Sequence, residues 1–190
     1  METASKRKVD GVRLSREQWL SRALEILAKE GQSRLRLLPL VKKMGVSTGS
    51  FYWHFKNRHE FILHLVAYWD EEFTGKMIME TSAIEGTPEE RLLDLMNVLL
   101  DREVPRYEVP IRALAALEPE VAQLVQDADE KRLVYIGSLF REMGFTDEEL
   151  EMRTRLWLYY EMGQFTIYSK LPYEVRKKQL VRRHAFLTAR

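Results

Sequence analysis

Helix start and stop signals recur along the chain, and they constrain its fold more than any other feature of the sequence. The first start, Ser15 to Gln18, has the spacing of a capping box, and Gly31 provides a stop. Apolar residues between them recur at spacings of three and four, which predicts a helix over residues 16–29. Strict period-two alternation and the Asn-Gly or Asp-Gly turns of hairpins are missing from the sequence. The sequence therefore predicts an all-α protein.

Later start signals divide the rest of the chain into further helices. A long fourth helix is predicted to begin at Asn57 and to reach about residue 80, joining an N-terminal head to a C-terminal helical bundle. Proline at the first helical position strengthens the start that follows Thr87. The remaining predicted starts follow Glu118 and Thr146, and Pro172 separates the last two helices, over residues 147–169 and 173–187.

Residues 34–58 contain two short predicted helices joined by a sharp turn. The first covers residues 34–44, Gly45 lies in the turn, and Ser47 caps a second helix over residues 48–55. The two phenylalanines of the second helix lie one turn apart and are expected to face inward, with the helix before them as a third wall. This arrangement is typical of a helix-turn-helix. The outward face of the second helix then presents Thr48, Ser50, Tyr52, Trp53 and His54.

A net charge of only +1 conceals a strong asymmetry along the chain. Residues 1–58 hold 13 Lys and Arg against 5 Asp and Glu, whereas residues 59–190 hold 17 against 24. The charge favours a polyanion-binding domain over residues 1–58 and a separate body over residues 59–190. Uneven surface charge without a function is the alternative interpretation.

The second short helix has the side chains that a DNA-recognition helix needs. Its N-terminal residues Thr48, Gly49 and Ser50 are small enough to approach the floor of the major groove. Their hydroxyl groups suit bases or phosphates, and Arg58 places a cation near a helix N-terminus, where phosphate is favoured. Lys42, Lys43 and Lys56 lie close in sequence. These features favour DNA binding; a three-helix packing unit with a solvated polar face is the alternative.

The segment from Gly45 to Arg58, GVSTGSFYWHFKNR, followed by Glu60-Phe61, resembles the signature of the TetR family of transcriptional regulators. The resemblance covers about residues 15–70 and implies a homodimer on a palindromic operator, usually a repressor released by a small molecule. It also implies that Thr48, Gly49 and Ser50 lie at base edges. The family often opens its second helix with threonine, where this chain has Arg36. The full set of expected DNA-binding residues is Arg36, Ser47, Thr48, Gly49, Ser50, Tyr52, Trp53, His54, Lys56 and Arg58.

The last two predicted helices are candidates for the dimer interface because they carry more apolar residues than one buried face needs. Two such helices from each subunit would form a four-helix bundle. Packing within one chain is the alternative. The apolar residues are Leu150, Trp157, Leu158, Met162, Phe165 and Ile167 in one helix, and Tyr173, Val175, Leu180, Phe186 and Leu187 in the other.

Aromatic residues with a few polar neighbours predict a small-molecule site among the helices of the body. Glu161 follows a run of aromatic residues, and a carboxylate beside aromatic rings would suit a cationic ligand. Plain core packing is the alternative for any of these positions. The predicted ligand-binding residues are Tyr68, Trp69, Phe73, Tyr107, Tyr135, Trp157, Tyr160, Glu161 and Gln164.

Several other functions find no support in the sequence. There are no cysteines, which excludes disulfides and thiolate metal sites, and the histidines lack the spacing of a helical metal pair. No metal, cofactor or catalytic residue is expected, so the chain is predicted not to be an enzyme. The N-terminal segment METASKRKVDG lacks the apolar core of a signal peptide, and no apolar stretch is long enough to span a membrane. A cytoplasmic regulator is the leading hypothesis; a helical protein-interaction adaptor without DNA binding is the alternative.

Overall fold

A computed structural model describes residues 13–164, 166–167 and 171–190 of the chain. Within these ranges the backbone forms α-helices with short 3-10 and π-helical segments and no strand, which confirms the all-α prediction. The N-terminal segment considered above as a signal peptide lies outside the described residues. The chain divides into two compact units between Leu65 and Val66, whereas the sequence-based division falls after Arg58.

Four helices build the first unit. They are α1 (Arg16–Glu30), α2 (Leu37–Met44), α3 (Thr48–His54) and the first half of α4 (Arg58–Asp70). The predicted start of α2 at Arg34 is wrong, because Gln32–Leu35 forms a 3-10 turn and Arg36 is extended.

The caps of these helices follow from the sequence. Ser15 and Gln18 form the predicted capping box, with the Gln18 N–H donating to Ser15 Oγ over 3.1 Å and the Ser15 N–H donating to Gln18 Oε1 over 2.9 Å. Arg36 provides no side-chain cap for α2. The missing cap is tolerable because Pro39, at the third helical position, has no N–H to satisfy.

An aromatic cluster holds the first unit together. Trp19 of α1 contacts the rings of Phe51 and Phe55 edge-on, with centroids 5.8 Å and 6.3 Å away. Phe61 of α4 lies 5.0 Å from Phe55 and closes the cluster. All four rings are buried. Edge-to-face packing of this kind adds to the free energy gained from burying the rings, so α3 is fixed by its inner face.

The second unit begins within α4 and contains six further helices. The π-helical segment Glu71–Gly75 joins α4 directly to α5 (Lys76–Ser82). The predicted long fourth helix is therefore helical throughout, with a change of hydrogen-bonding pattern in the middle. The others are α6 (Pro88–Asp101), α7 (Glu108–Ala115), α8 (Pro119–Glu142), α9 (Asp147–Gly163) and α10 (Tyr173–Thr188), with a 3-10 turn at Val104–Tyr107.

Two features of this unit differ from the sequence-based expectation. Helix α7 was not predicted, because prolines at 105 and 110 interrupt the apolar pattern; Pro110 lies in the first turn of α7, where its missing N–H costs little. Helix α9 ends at Gly163 and not at residue 169, and Thr166 and Ile167 lie in a turn. Residues 165 and 168–170, including the predicted interface residue Phe165, lie outside the described residues.

The core of the second unit lies around α8, which packs against α6, α7 and α9, while α10 packs on α6. His184 of α10 fixes that packing through Nε2, which lies 2.8 Å from the backbone oxygen of Glu89. Four residues considered above for the dimer interface are buried in this core within one chain: Trp157, Leu158, Leu180 and Leu187.

Candidate nucleic-acid interface and internal cavity

The exposed face of α3 is set by its two ends. Gly45 adopts the left-handed conformation (φ 70°) that ends α2 and turns the chain. Ser47 Oγ then accepts a hydrogen bond from the Ser50 N–H over 3.2 Å and starts α3. With Phe51 buried, Thr48 and Gly49 face solvent at the N-terminal end. A short helix with small, exposed N-terminal residues has the shape that can approach a groove floor.

Two large aromatic side chains follow on the same helix and stay exposed. Tyr52 is 57% exposed and Trp53 is 73% exposed, although burial of such rings is normally favourable. The guanidinium of Arg13 lies over the Trp53 ring, 5.6 Å from its centroid. Arg13 lies just before α1 and was not among the predicted residues, because only the fold brings it to α3.

His54 has a structural role in this surface. Its Nε2 lies 2.8 Å from the backbone oxygen of Leu14, and the ring is half-buried. The histidine thus holds the segment before α1 against the end of α3. Its expected contact with DNA stays a prediction, and the ring nitrogen bonded to Leu14 is not free for a phosphate.

The basic side chains around α3 differ in their ion pairing within the chain. Arg36 and Lys42 are exposed and make no ion pair within the described chain. Lys43 instead pairs with Glu30 at 2.8 Å, and this hydrogen bond lowers the pKa of the Glu30 carboxyl below its ordinary value. Lys56 and Arg58 are exposed beside the start of α4.

The second unit contains an internal cavity of about 40 Å³. Its lining is mainly apolar, from α5, α6, α8 and α9, with Met77, Leu95, Leu99, Ile136 and Met162 among the residues.

Buried charges form a network at one side of the cavity. Arg132 donates from Nη1 to Glu108 over 3.0 Å and from Nε to Thr74 over 2.9 Å. Arg112 contacts the second oxygen of Glu108 over 3.2 Å and binds Asp129 through two bonds of 2.7 Å and 2.8 Å. Because each buried carboxylate here meets a guanidinium, the charges compensate one another and fix the geometry of the wall.

Glu161 is the other carboxylate of the cavity, and it is fully paired. One oxygen accepts a hydrogen bond from Arg183 and the other from the Gln164 amide. Burial raises the pKa of Glu161 above its ordinary value, and the two hydrogen-bonded partners oppose that rise. The carboxylate therefore has no oxygen without a partner to offer a cation.

The structure brings together four of the nine predicted ligand-binding residues: Phe73, Tyr135, Trp157 and Glu161 line the cavity. Arg132, Glu108 and Thr74 also line it and were not predicted. The sequence pattern could have indicated that Arg132 is buried, since it lies four residues from both Ala128 and Ile136 on the apolar face of α8. No sequence pattern could have indicated the burial of Glu108, because α7 itself was not predicted.

The other five predicted ligand-binding residues do not line this cavity. Tyr68 is half-buried on α4, and Trp69 is buried beneath the guanidinium of Arg132. Tyr107 stacks on Phe73, with centroids 4.7 Å apart, and Tyr160 lies beneath Arg183 on an exposed face. Gln164 contacts the cavity only through its bond to Glu161.

Residues 20–65 match the model of the bacterial regulatory proteins of the tetR family. The match covers α2, α3 and the turn between them, which are the elements just described. Over these residues the chain is similar to the N-terminal domain of the tetR-family regulators. No curated protein matches the sequence.

Solved structures of transcriptional regulators share the fold over nearly the whole chain. A Saccharomonospora viridis protein named as a transcriptional regulator and crystallised with choline aligns with a TM-score of 0.74 at 17% identity, over 88% of this chain and 93% of that one. A Rhodococcus transcriptional regulator gives 0.74 at 20% identity, over 92% and 94%. The ketosteroid transcriptional regulator of Mycobacterium tuberculosis gives 0.67 at 16% identity, over 92% and 95%. At these identities the likeness shows the shared fold.

Two further observations concern other site types. Of the helices described, none combines the length and apolar character that crossing a bilayer requires. In the same residues, no three His, Asp or Glu side chains lie together in a way that would hold a metal ion.

Proposed function

We propose that this chain is a transcriptional repressor of the tetR family, located in the cytoplasm, that binds a palindromic operator as a homodimer and is released by a small molecule. The exposed face of α3 carries the proposal. Small hydroxylated residues at the helix start, followed by exposed Tyr52 and Trp53, form a surface that suits a groove and its flanking phosphates.

In this proposal, Thr48, Gly49 and Ser50 meet base edges, while Ser47, Tyr52, Trp53 and His54 meet the sugar-phosphate backbone. Arg36, Lys56 and Arg58 add positive charge to the same contact. Arg36 acts through charge and not through a helix cap, since its side chain makes no cap hydrogen bond. Arg13 joins the set because it lies over Trp53.

Selection of bound sequences from random DNA tests this function most directly. We expect an enriched palindrome whose half-sites are about one helical turn apart or a multiple of it, as a symmetric dimer requires. Titration with salt should then give a log-log slope near −0.9 per phosphate contact. An adaptor protein would enrich no sequence, and a flat salt dependence would contradict DNA binding.

The dimer is proposed to form through α9 and α10. Each helix buries one side in its own chain and leaves apolar residues on the other. An unpartnered apolar surface of this kind is typical of a protein interface. Exposed residues of these two helices include Met152, Leu156, Tyr159, Val181 and Phe186.

The cavity of the second unit is the proposed effector site, because it joins apolar walls to a few polar groups. Phe73 and Thr74 of its lining belong to the π-helical segment that continues α4. π-Helical turns are frequent at functional sites. Effector binding that changes this segment is proposed to act through α4 on the separation of the two heads of the dimer. It does so only if the effector binds one arrangement better than the other.

A further inference from the structure

Three side chains that line the cavity hold buried polar atoms without a hydrogen-bond partner among the described residues. They are Arg132 Nη2, Tyr135 Oη and Trp157 Nε1, referred to below as the orphan donors. A buried donor that loses water without gaining a partner destabilises the fold, and such atoms are uncommon in native structures. Other buried atoms of the described residues also lack a partner but belong to residues that do not line the cavity; Trp19 Nε1, in the aromatic cluster of the first unit, is one of them.

The contacts of the Arg132 side chain fix its guanidinium and leave Nη2 without a hydrogen-bond partner among the described residues. Its Nε and Nη1 are engaged by Thr74 and Glu108, and its plane lies over the ring of Trp69 at 4.8 Å. The guanidinium is therefore fixed, with Nη2 left over. Tyr135 follows three residues later on α8, so the two side chains share a face of that helix. Trp157 approaches from α9, which packs on α8.

The chemistry of the orphan donors defines the missing partner. Arginine and tryptophan side chains only donate hydrogen bonds, and tyrosine can donate as well. The partner must therefore bring acceptors, and a carboxylate forms strong, charge-assisted hydrogen bonds with a guanidinium. The carboxylates of the cavity, Glu108 and Glu161, are both paired with arginines, so they offer nothing to a cation.

We infer that the effector of this cavity is an apolar molecule that carries a carboxylate, with the carboxylate bound by the orphan donors. The inference rests on the proposed function in treating the cavity as an effector site. The apolar lining takes up the body of the molecule. Because the cavity has a volume of about 40 Å³, binding also requires it to expand. Met77 and Met162 line it and have the adaptable side chains that such repacking needs.

Calorimetric titration of the full chain, without DNA, tests the inference with four probes. Octanoate, 1-octanol and octylamine share one apolar chain and differ in the head group, and choline is a small cation. We expect octanoate to bind at least about tenfold more tightly than octanol, as a charge-assisted hydrogen bond requires, and octylamine and choline not to bind. Equal affinity for octanol, preference for either cation, or binding of no probe would overturn the inference.

Two variants link the effect to the orphan donors. Tyr135→Phe and Trp157→Phe each remove one donor and keep an aromatic ring, and each should weaken octanoate binding about tenfold without weakening octanol binding. Tyr135→Phe should not lower the melting temperature of the free protein, because it removes a buried atom that has no partner. Trp19→Phe is the matched control, since it removes the same kind of unpartnered N–H from the first unit. Unchanged octanoate affinity in both cavity variants would refute the inference.

The octanoate titration and the DNA selection can succeed or fail independently of each other. Binding of octanoate by a chain that enriches no DNA sequence would leave the inference standing and remove the repressor. Binding of a palindrome by a chain that does not bind octanoate would support the repressor and contradict the inference of a carboxylate effector.

Discussion

Gly45 and Gly49 lie four residues apart and serve different purposes. Gly45 is in the left-handed region with φ 70°, where a β-carbon is disfavoured whatever the space around it. Gly49 is helical, and an added β-carbon would lie 3.6 Å from Ser47 Oγ, an ordinary contact. The turn needs the first glycine, whereas the surroundings of the second leave room for a side chain, and we propose that the DNA contact requires it to be small.

Alanine at each of these positions should therefore give opposite results. Gly45→Ala should lower the free energy of unfolding by about 1–2 kcal/mol, measured by urea denaturation. Gly49→Ala should leave stability unchanged or slightly higher and weaken operator binding, because a methyl group enters the closest part of the proposed contact. Normal DNA affinity in Gly49→Ala would remove the argument that its size matters for recognition.

Arg36 makes a second prediction at the residue scale. Arg36→Ala should weaken binding to all DNA sequences alike and reduce the salt slope by about one, because the side chain is proposed to neutralise one phosphate. Its matched control is Arg34→Ala, since Arg34 pairs with Glu30 at 3.2 Å and was not predicted to contact DNA. A change of sequence preference in Arg36→Ala would show instead that it contacts a base.

Among the elements of the first unit, the start of α4 is held by the side chains of Asn57 and Glu60, where the sequence predicts this helix to begin. The Glu60 N–H donates to Asn57 Oδ1 over 2.8 Å, and Glu60 Oε2 accepts from the Lys56 N–H over 2.8 Å. The Lys56 N–H, followed by the charges of Lys56, His64 and Arg16, holds the pKa of Glu60 below its ordinary value. The carboxylate thus fixes the turn between α3 and α4.

This lowered pKa makes the stability of the start of α4 depend on pH. A carboxylate with a lowered folded pKa stabilises the fold above its ordinary pKa of 4.5 and loses that contribution as pH falls through the lower, folded value. Glu60→Gln should therefore be less stable than the native chain at neutral pH, and the difference should shrink on acidification below 4.5. Urea unfolding at a series of pH values measures it. A difference that is constant with pH, or equal to that of Glu148→Gln at the exposed start of α9, would contradict the prediction.

At the scale of the whole molecule, α9 and α10 combine buried and exposed apolar residues. Trp157 and Leu180 are in the core of their own chain, whereas Leu156 and Phe186 are 45% and 73% exposed. The sequence shows that these helices have more apolar surface than one chain buries, but it does not show which residues are left over. That choice depends on the rotation of each helix against α6 and α8.

The exposed residues provide a test of the dimer. Leu156→Asp and Phe186→Asp should each convert the homodimer to a monomer, measured by sedimentation, because a buried charge at the interface would lack a partner. Operator affinity should fall with them, since a monomer contacts one half-site. Leu117→Asp, at a similarly exposed leucine outside α9 and α10, should leave the assembly intact. If the native chain sediments as a monomer, the proposed homodimer is wrong.

Local sequence predicts most of the helix boundaries and the turn of the first unit, since caps, glycine stops and apolar spacing act within a few residues of the chain. Ser15 with Gln18, Gly45 and Ser47 are examples that the structure bears out in detail. Other contacts depend on how the helices pack: Arg132 bonds to Glu108 and Thr74, Arg183 pairs with Glu161, and Arg13 lies over Trp53. Those partners lie between 22 and 58 residues apart. Local spacing contains no information about such pairs, because they are selected by how whole helices pack against one another.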